Sequence, residues 1–281
     1  MKIIVTTDST SDLPKEIAKE RNIEVMPLLV NLEDDTFEDG VNITNEDIFS
    51  FVDKTGELPK TGARSSEHYK EFFTGAMKKY GADALIHIAL SSEISSSCQN
   101  AIVASQELDN VKVIDSRSLS SGCGLLALKA ADKIDEGIDF EDICKQIENL
   151  TKNVQASFVI DKLNYLYKGG RCSAVAMFGA NILRIKPKIK LSDGKMGVDK
   201  KYMGKFENVV ATYIIDIFKE YTDIDKTRVF VTFTSENEEV NKKIDAILKE
   251  KGFKEIIFNF AGSTIASHCG RNTLGVLFIN N

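Results

Sequence analysis

Short apolar runs and amphipathic stretches take turns along the first half of this chain, and that alternation limits its fold more than any other feature. Ile3–Thr7, Ala84–Ala89 and Val111–Asp115 are apolar enough for strands covered on both faces. Helical patterns lie between them. Asp12-Leu13-Pro14 reads as the start of a helix to about Arg21, with Asp12 as its cap and Pro14 in its first turn. Val25–Val30 reads as a further strand. Thr44-Asn45-Glu46-Asp47 is a capping-box pattern opening a helix through Val52. After Ser66, the residues Tyr69, Phe72, Phe73, Ala76 and Met77 fall on one helical face. Leu125–Ile134 and Phe140–Leu150 read as two more helices. Strands alternating with helices predict an α/β fold with a parallel sheet. Ligands of such sheets bind beyond the carboxyl ends of the strands, here the loops after Thr7, Ala89 and Asp115.

The pattern changes near residue 154. Ser157–Ile160 is a short strand, and Tyr165–Ser173 reads as helix, glycine turn and new helix start. Lys188–Leu191 and Met196–Asp199 flank Ser192-Asp193-Gly194-Lys195, a hairpin signal. A helix over 206–221, a strand over 229–234, a helix over 240–251 and a strand over 255–260 follow. A short helix at Ser263–His268 and a last strand at Val276–Ile279 complete the chain. We expect two α/β domains, 1–153 with a mainly parallel sheet and 154–281 with a mixed one.

Two of the strands run into serine-rich turns, Leu90-Ser91-Ser92-Glu93-Ile94-Ser95-Ser96-Ser97 and Ser116-Arg117-Ser118-Leu119-Ser120-Ser121, each followed by a helix. Hydroxyls and the free N–H groups of a helix start can hold a carboxylate or phosphate without a metal. Composition narrows the partners. Thirty-six basic and 42 acidic residues leave a net charge of −6 with no basic stripe, which argues against nucleic acid. No apolar run reaches the ~18–20 residues of a membrane span, and the N-terminus lacks a signal-peptide pattern, so the expected location is cytoplasmic. Five scattered cysteines without a CxxC pair argue against both a disulfide framework and a zinc site. Neither a dinucleotide glycine fingerprint nor a P-loop nor a nucleophile-elbow serine is present, and no cofactor or metal is expected.

His87 lies inside an apolar strand and reads as core, whereas His68 begins a helix and reads as exposed. His268, in the small-residue turn Ala266-Ser267-His268-Cys269-Gly270, is the histidine placed to meet an anion. Cys269 is a poor candidate nucleophile, since sequence neighbours seldom face each other productively. Asp8 is placed to orient neighbouring hydroxyls, Gly169-Gly170-Arg171 to make a tight turn with an exposed arginine, and Lys186-Pro187 to enter a strand. Two functions fit: a binder of an anionic head group, or an enzyme acting on a small carboxylated or phosphorylated metabolite with His268 as general base.

Taken in order, Asp8-Ser9-Thr10-Ser11-Asp12-Leu13, Thr61-Gly62-Ala63-Arg64-Ser65, Ser91-Ser92-Glu93-Ile94-Ser95 with Gln99, Asp115-Ser116, Lys168-Gly169-Gly170-Arg171-Cys172-Ser173, Lys186-Pro187 and Ala266–Gly270 resemble the DegV family of bacterial fatty-acid-binding proteins over the whole chain. The resemblance implies two α/β domains with a long-chain fatty acid in a tunnel between them. It implies a carboxylate held by Thr61 and Ser95, with Ser92 as the alternative serine and His268 close by. It also implies a non-catalytic subunit that presents the acid to a separate ATP-binding fatty-acid kinase, with at most transient contact with a membrane surface. Glu93 and Ser96 stand where the family favours glycine, and Arg271-Asn272 where it favours Pro-Gly. Met203 replaces an arginine that helps dock the kinase, leaving Arg171 and Lys201 as docking cations. A monomer is the default expectation.

Overall fold

The computed structural model describes residues 1–172 and 185–281. Its first half carries strands β1 (Ile3–Asp8), β2 (Ile23–Met26), β3 (Leu29–Leu32), β4 (Asp35–Glu38), β5 (Lys60–Gly62), β6 (Ala84–Ala89) and β7 (Val111–Asp115). The helices among and after them are α1 (Lys15–Glu20), α2 (Asn45–Thr55), α3 (Ser66–Tyr80), α4 (Ser97–Ser105), α5 (Ser121–Asp135) and α6 (Phe140–Leu150). The order β2-β1-β6-β7, parallel throughout, is the sheet that the alternation predicts. All six residues of β6 are buried, as a strand covered on both faces requires.

Two local expectations are corrected. Val25–Val30 is not one strand: Pro27, which has no N–H for a ladder, separates β2 from β3. The chain thereby leaves the parallel sheet for a small antiparallel one of order β4-β3-β5, which the sequence pattern did not announce. Asp12 does not cap α1, whose N-cap is Pro14. Its backbone is left-handed at φ 50° and its buried carboxyl reaches the far end of the chain. The capping box is present as expected: the Thr44 side chain accepts from the Asp47 amide, and the Asp47 carboxylate accepts from the Thr44 amide.

The second half holds β8 (Val154–Gln155), β9 (Ser157–Ile160), α7 (Asn164–Gly169), β10 (Lys186–Ser192), β11 (Lys195–Tyr202), α8 (Phe206–Glu220), β12 (Ile224–Phe233), α9 (Glu238–Glu250), β13 (Glu255–Phe260), α10 (Ser263–Cys269) and β14 (Thr273–Asn280). Six strands follow the order β11-β10-β9-β14-β12-β13, with β8 against β14. Among the described residues only β12 and β13 of this sheet pair in parallel, so the sheet is mixed. The expected helix start at Ser173 lies outside the described residues. Among the described residues no helix is long and apolar enough to cross a membrane.

Helix α5 lies between the two large sheets, against β1 and β6 on one side and β12 and β14 on the other. One continuous core therefore joins Ile4 and Leu126 to Phe230 and Leu277. Polar contacts reinforce it. Lys129 pairs with Asp225 at 2.6 Å, and the nearly buried Arg228 reaches Asp132 at 3.1 Å. The β10–β11 hairpin folds its tip onto the first serine loop. Ser91 Oγ donates to the Gly194 carbonyl at 2.9 Å, Arg117 to the Asp193 carbonyl, and Lys195 meets Glu93 at 3.3 Å. Glu93 also takes an ion pair from Arg117 at 3.4 Å, which gives this departure from the family pattern a local role.

Gly124 marks a close backbone crossing of α5: a Cβ there would sit 2.9 Å from the Ser11 carbonyl oxygen. Gly124→Ala should lower stability by about 1–3 kcal/mol despite the better helix propensity of alanine. Gly75→Ala in α3, where a Cβ meets nothing within 4 Å, should raise it by up to about 1 kcal/mol. Denaturant midpoints of the two variants check the contrast.

Candidate functional site

Three elements bring Thr61, Ser95 and His268 to one cavity. Strand β5 pairs Thr61 with Val30 of β3. The first serine loop is pinned at the carboxyl ends of its strands. The Leu90 amide donates to Asp8 Oδ2 at 2.9 Å and the Ser91 amide to the Ser118 carbonyl at 3.0 Å. Asp8 does orient a hydroxyl, since the buried Tyr69 phenol donates to its Oδ1 at 2.5 Å. Beyond this anchor Ser95 Oγ lies 3.0 Å from Ser97 Oγ and accepts from the Ser97 amide at 3.2 Å.

His268 rides on α10, and two carboxyls fix where that helix begins. The Gly262 amide donates to Asp12 Oδ1 at 2.7 Å and the Ser263 amide to Asp39 Oδ1 at 2.8 Å. Acidic groups suit a helix start, because its N–H groups have no partner within the helix. Ser9 Oγ donates to Asp39 Oδ2 at 2.9 Å, and Ser120 Oγ donates to Asp12 Oδ2. Burial raises the Asp12 carboxyl to about 8, against the lowering pull of Ser120 and Gly262. From this start His268 Nε2 comes within 2.8 Å of Thr61 Oγ1. Its Nδ1 has no partner and lies against Gly169, where a Cβ would stand 2.6 Å away. Burial, and then the nearby Arg171, lower the imidazole to about 4, so it is neutral at pH 7.

The cavity measures about 150 Å³, and its polar lining is Thr10, Thr61, Ser95, Ser96, Arg171, Thr264 and His268. Leu28, Leu90, Ile94, Leu119, Leu166, Met196 and Ile265 make the rest largely apolar. A narrow apolar pocket of about 20 Å³ shares Leu119, Ile265 and Cys269 with it and adds Phe158, Phe233 and Leu277. Leu119 and Ser120 of the second serine loop and residues of β9, β12 and β14 thus wall this narrow pocket. Toward solvent, Ser95, Ser96, Gly169, Gly170 and Arg171 line an open mouth of about 410 Å³. Arg171 is exposed there and donates from Nη1 to the Gly169 carbonyl at 2.7 Å.

The other serines and cations lie elsewhere. Ser92 is exposed and outside the cavity wall, its Oγ donating to Asp115 Oδ2 at 2.5 Å. The second serine loop does not form an open anion site, contrary to expectation: Ser116, Ser118, Ser120 and Ser121 are buried. Ser116 bonds within its own loop, Ser120 holds Asp12, and Ser121 lies 2.5 Å from Thr232 of the second sheet. Lys201 is exposed on β11, opposite Pro187 of β10 and outside the cavity wall, and Met203 is 75% exposed. His87 is buried and His68 exposed, as read from the sequence. Cys269 is a buried thiol pushed up to about 12 by burial, which suits a wall residue. Among the described residues no group of three His, Cys, Asp or Glu converges as a metal site would. Sequence reasoning missed Asp39 and Thr264, and quoted Thr10 within the Asp8–Leu13 segment without giving it a role. Thr264 had a signal: it stands four residues before His268, on the same helical face.

Asp12 sets a measurable pH dependence. Below about pH 4 both the folded and unfolded chains carry its proton, and its contribution to stability is fully present. As pH rises from about 4 to about 8 the unfolded chain ionises first, and stability falls by at most on the order of 5 kcal/mol. His268 acts on the acid side with the opposite slope, stability falling as pH drops from 6.5 toward about 4. Asp12→Asn should therefore flatten the stability profile between pH 4 and 8 relative to the parent, read from urea midpoints across that range.

Comparison with known proteins completes the description. The sequence pattern of the family described as "uncharacterised protein, DegV family" matches residues 2–281. A DegV domain-containing protein of Caldanaerobacter subterraneus is 33% identical over 281 residues, covering 99% of this chain and 98% of that protein. A DegV family protein from Thermus thermophilus, whose structure is described as showing fatty acid binding, superposes with TM-score 0.90 at 28% identity over 100% of both chains. DegV of Bacillus subtilis, described as a fatty acid binding protein, superposes with TM-score 0.86 at 29% identity over 100% of both chains.

Proposed function

Since this chain belongs to the DegV family, we propose that it carries a long-chain fatty acid, with the head group at Thr61, Ser95 and His268 and the tail between the two sheets. The observation that carries this reading is the lining of the cavity: Thr61, Ser95 and His268 share it with apolar side chains, and it adjoins at Leu119, Ile265 and Cys269 a narrow apolar pocket lined from both halves of the chain. On this reading 1–153 and 154–281 act as two lobes closing on the tail. Threading the tail requires the side chains flanking the narrow pocket to part.

Burying a sixteen-carbon chain is worth on the order of 0.8 kcal/mol per CH₂, about 10–13 kcal/mol gross. Loss of rotational freedom and ordering of the pocket remove much of that. The tail thus supplies affinity, and the hydroxyls fix register by satisfying a head group that is costly to bury unpaired. Ser95 supports the reading better than Ser92, whose hydroxyl is directed to Asp115 outside the cavity. We further assign the protein a carrier role, presenting the acid to a separate kinase. Arg171, beside the open mouth, is the docking cation nearest the head group, and Lys201 lies on β11. The alternative enzyme reading is weakened by His268, since an imidazole lowered to about 4 is a poor general base near pH 7.

Protein purified from a lipid-containing host should release a long-chain fatty acid on denaturing extraction, identified by mass spectrometry. Thr61→Val combined with Ser95→Ala should weaken palmitate binding about 10- to 100-fold, the loss of two hydrogen bonds to the head group. Parent protein that is free of lipid and also refuses added palmitate would sink the proposal.

A further inference from the structure

The two adjacent glycines at the end of α7 serve different ends. Gly170 has a left-handed backbone at φ 70°, and a Cβ built on it meets nothing within 4 Å. It is a helix stop, where the lack of a side chain relieves the backbone. Gly169 is the last residue of the helix and has no positive φ, so its backbone would suit alanine, the better helix former. What excludes a side chain there is space. A Cβ on Gly169 would stand 2.6 Å from Nδ1 of His268 and 3.4 Å from Cε1, and the three nearest atoms all belong to that ring.

This contact is half of a paired fit. Tyr165 and Gly169 are four residues apart and share one face of α7. Tyr165 lies on Gly270, the cap of α10, where a Cβ would sit 2.7 Å from Tyr165 Cδ2. Each helix thus offers a glycine to a ring of the other, and the two notches set where α7 lies along α10. A helix of six residues has little stability of its own, so its place depends on such contacts. Leu163 and Leu166 anchor it in the core, and Leu166 also lines the head-group cavity. The imidazole is held at two edges. Nε2 lies 2.8 Å from Thr61 Oγ1, and Nδ1, which has no hydrogen-bond partner, lies against Gly169. A histidine is commonly oriented by a hydrogen bond on its second nitrogen. Here packing on a glycine takes that role.

We infer that Gly169 is a positioning residue of the head-group site: its missing side chain lets the end of α7 close on His268 and keep Nε2 at Thr61, and a side chain at 169 turns the ring away before it disturbs the fold. The bearing of this on a head group rests on the fatty-acid reading and deepens it. The ring is the part that gives way, because it stands beside a cavity of about 150 Å³, whereas α7 is fixed by the buried Leu163, Tyr165 and Leu166.

Gly169→Ala, His268→Ala and the double variant, made in the full chain and stripped of lipid, test this. Gly169→Ala should weaken palmitate binding about tenfold, the loss of one hydrogen bond. In the His268→Ala background the same substitution should change binding by less than about twofold, because the ring through which it acts is gone. Of the three histidine signals in NMR, the one lost on His268→Ala should titrate near pH 4 in the parent and at least about one unit higher in Gly169→Ala, as the displaced ring meets water. Arg171, the charged neighbour that also lowers that titration, is the same in both. Should Gly169→Ala fail to fold, the double variant decides. Removing the imidazole makes room for the added methyl, so the double variant should fold with a urea midpoint no lower than that of His268→Ala. Palmitate binding and a histidine midpoint both unchanged in Gly169→Ala, or a double variant clearly worse than His268→Ala in binding or stability, would overturn the inference and leave the carrier reading standing. A parent that refuses palmitate would overturn the carrier reading, and with it any bearing on a head group, while the histidine midpoint and the double variant's stability would still decide whether Gly169 holds the ring.

Discussion

Two carboxyls on two amide N–H groups hold the site together. Asp12 and Asp39, from the first half of the chain, take the Gly262 and Ser263 amides that open α10. A helix of seven residues has little stability of its own, so its start must be fixed from outside. Fixing it determines where His268, near the helix's other end, meets Thr61. There is no slack at the junction. A Cβ on Gly262 would lie 3.0 Å from Asp39 Oδ1 and 3.2 Å from Asp12 Oδ1. Asp12 and its partner Ser120 both have positive φ, 50° and 52°. Non-glycine residues adopt that conformation at a cost of about 1–3 kcal/mol each, and persist in it only where their surroundings over-determine them.

Exclusion of water is the largest cause at three titratable groups along this seam. It raises the acid of Asp12, raises the thiol of Cys269 and lowers the imidazole of His268. All three shifts favour the uncharged form. On the carrier reading, a head group beside them would meet the same medium, and hydroxyls could satisfy it.

The parts of this fold legible in the sequence were those governed by periodicity and local chemistry. β6 is apolar throughout because both its faces are covered, and the Thr44–Asp47 capping box needs only four adjacent residues. Gly194 announced the hairpin, being at φ 79° where a side chain is strained. Illegible were features set by partners distant in sequence. Asp12 looks like a cap for the helix that follows it, yet its acceptors serve an amide 250 residues away. The two serine turns are alike in composition but differ in depth: Ser95 faces a cavity, whereas Ser120 and Ser121 tie α5 to its surroundings. Residue type announced hydroxyls in both, and only packing determined which of them face a cavity.

The hairpin tip rests on the loop that carries Ser95, through Ser91 and Glu93, and on the second serine loop through Arg117. On the carrier reading, a ligand leaving past the Ser95 loop would loosen these contacts, while its affinity would come mainly from its tail. Residence time and equilibrium occupancy are therefore governed by different parts of the molecule. The Glu93 pairs with Lys195 and Arg117 are partly solvated, so mobile counter-ions weaken them and leave the apolar seam untouched. Ionic strength thus acts on how fast cargo is exchanged more than on how much is held.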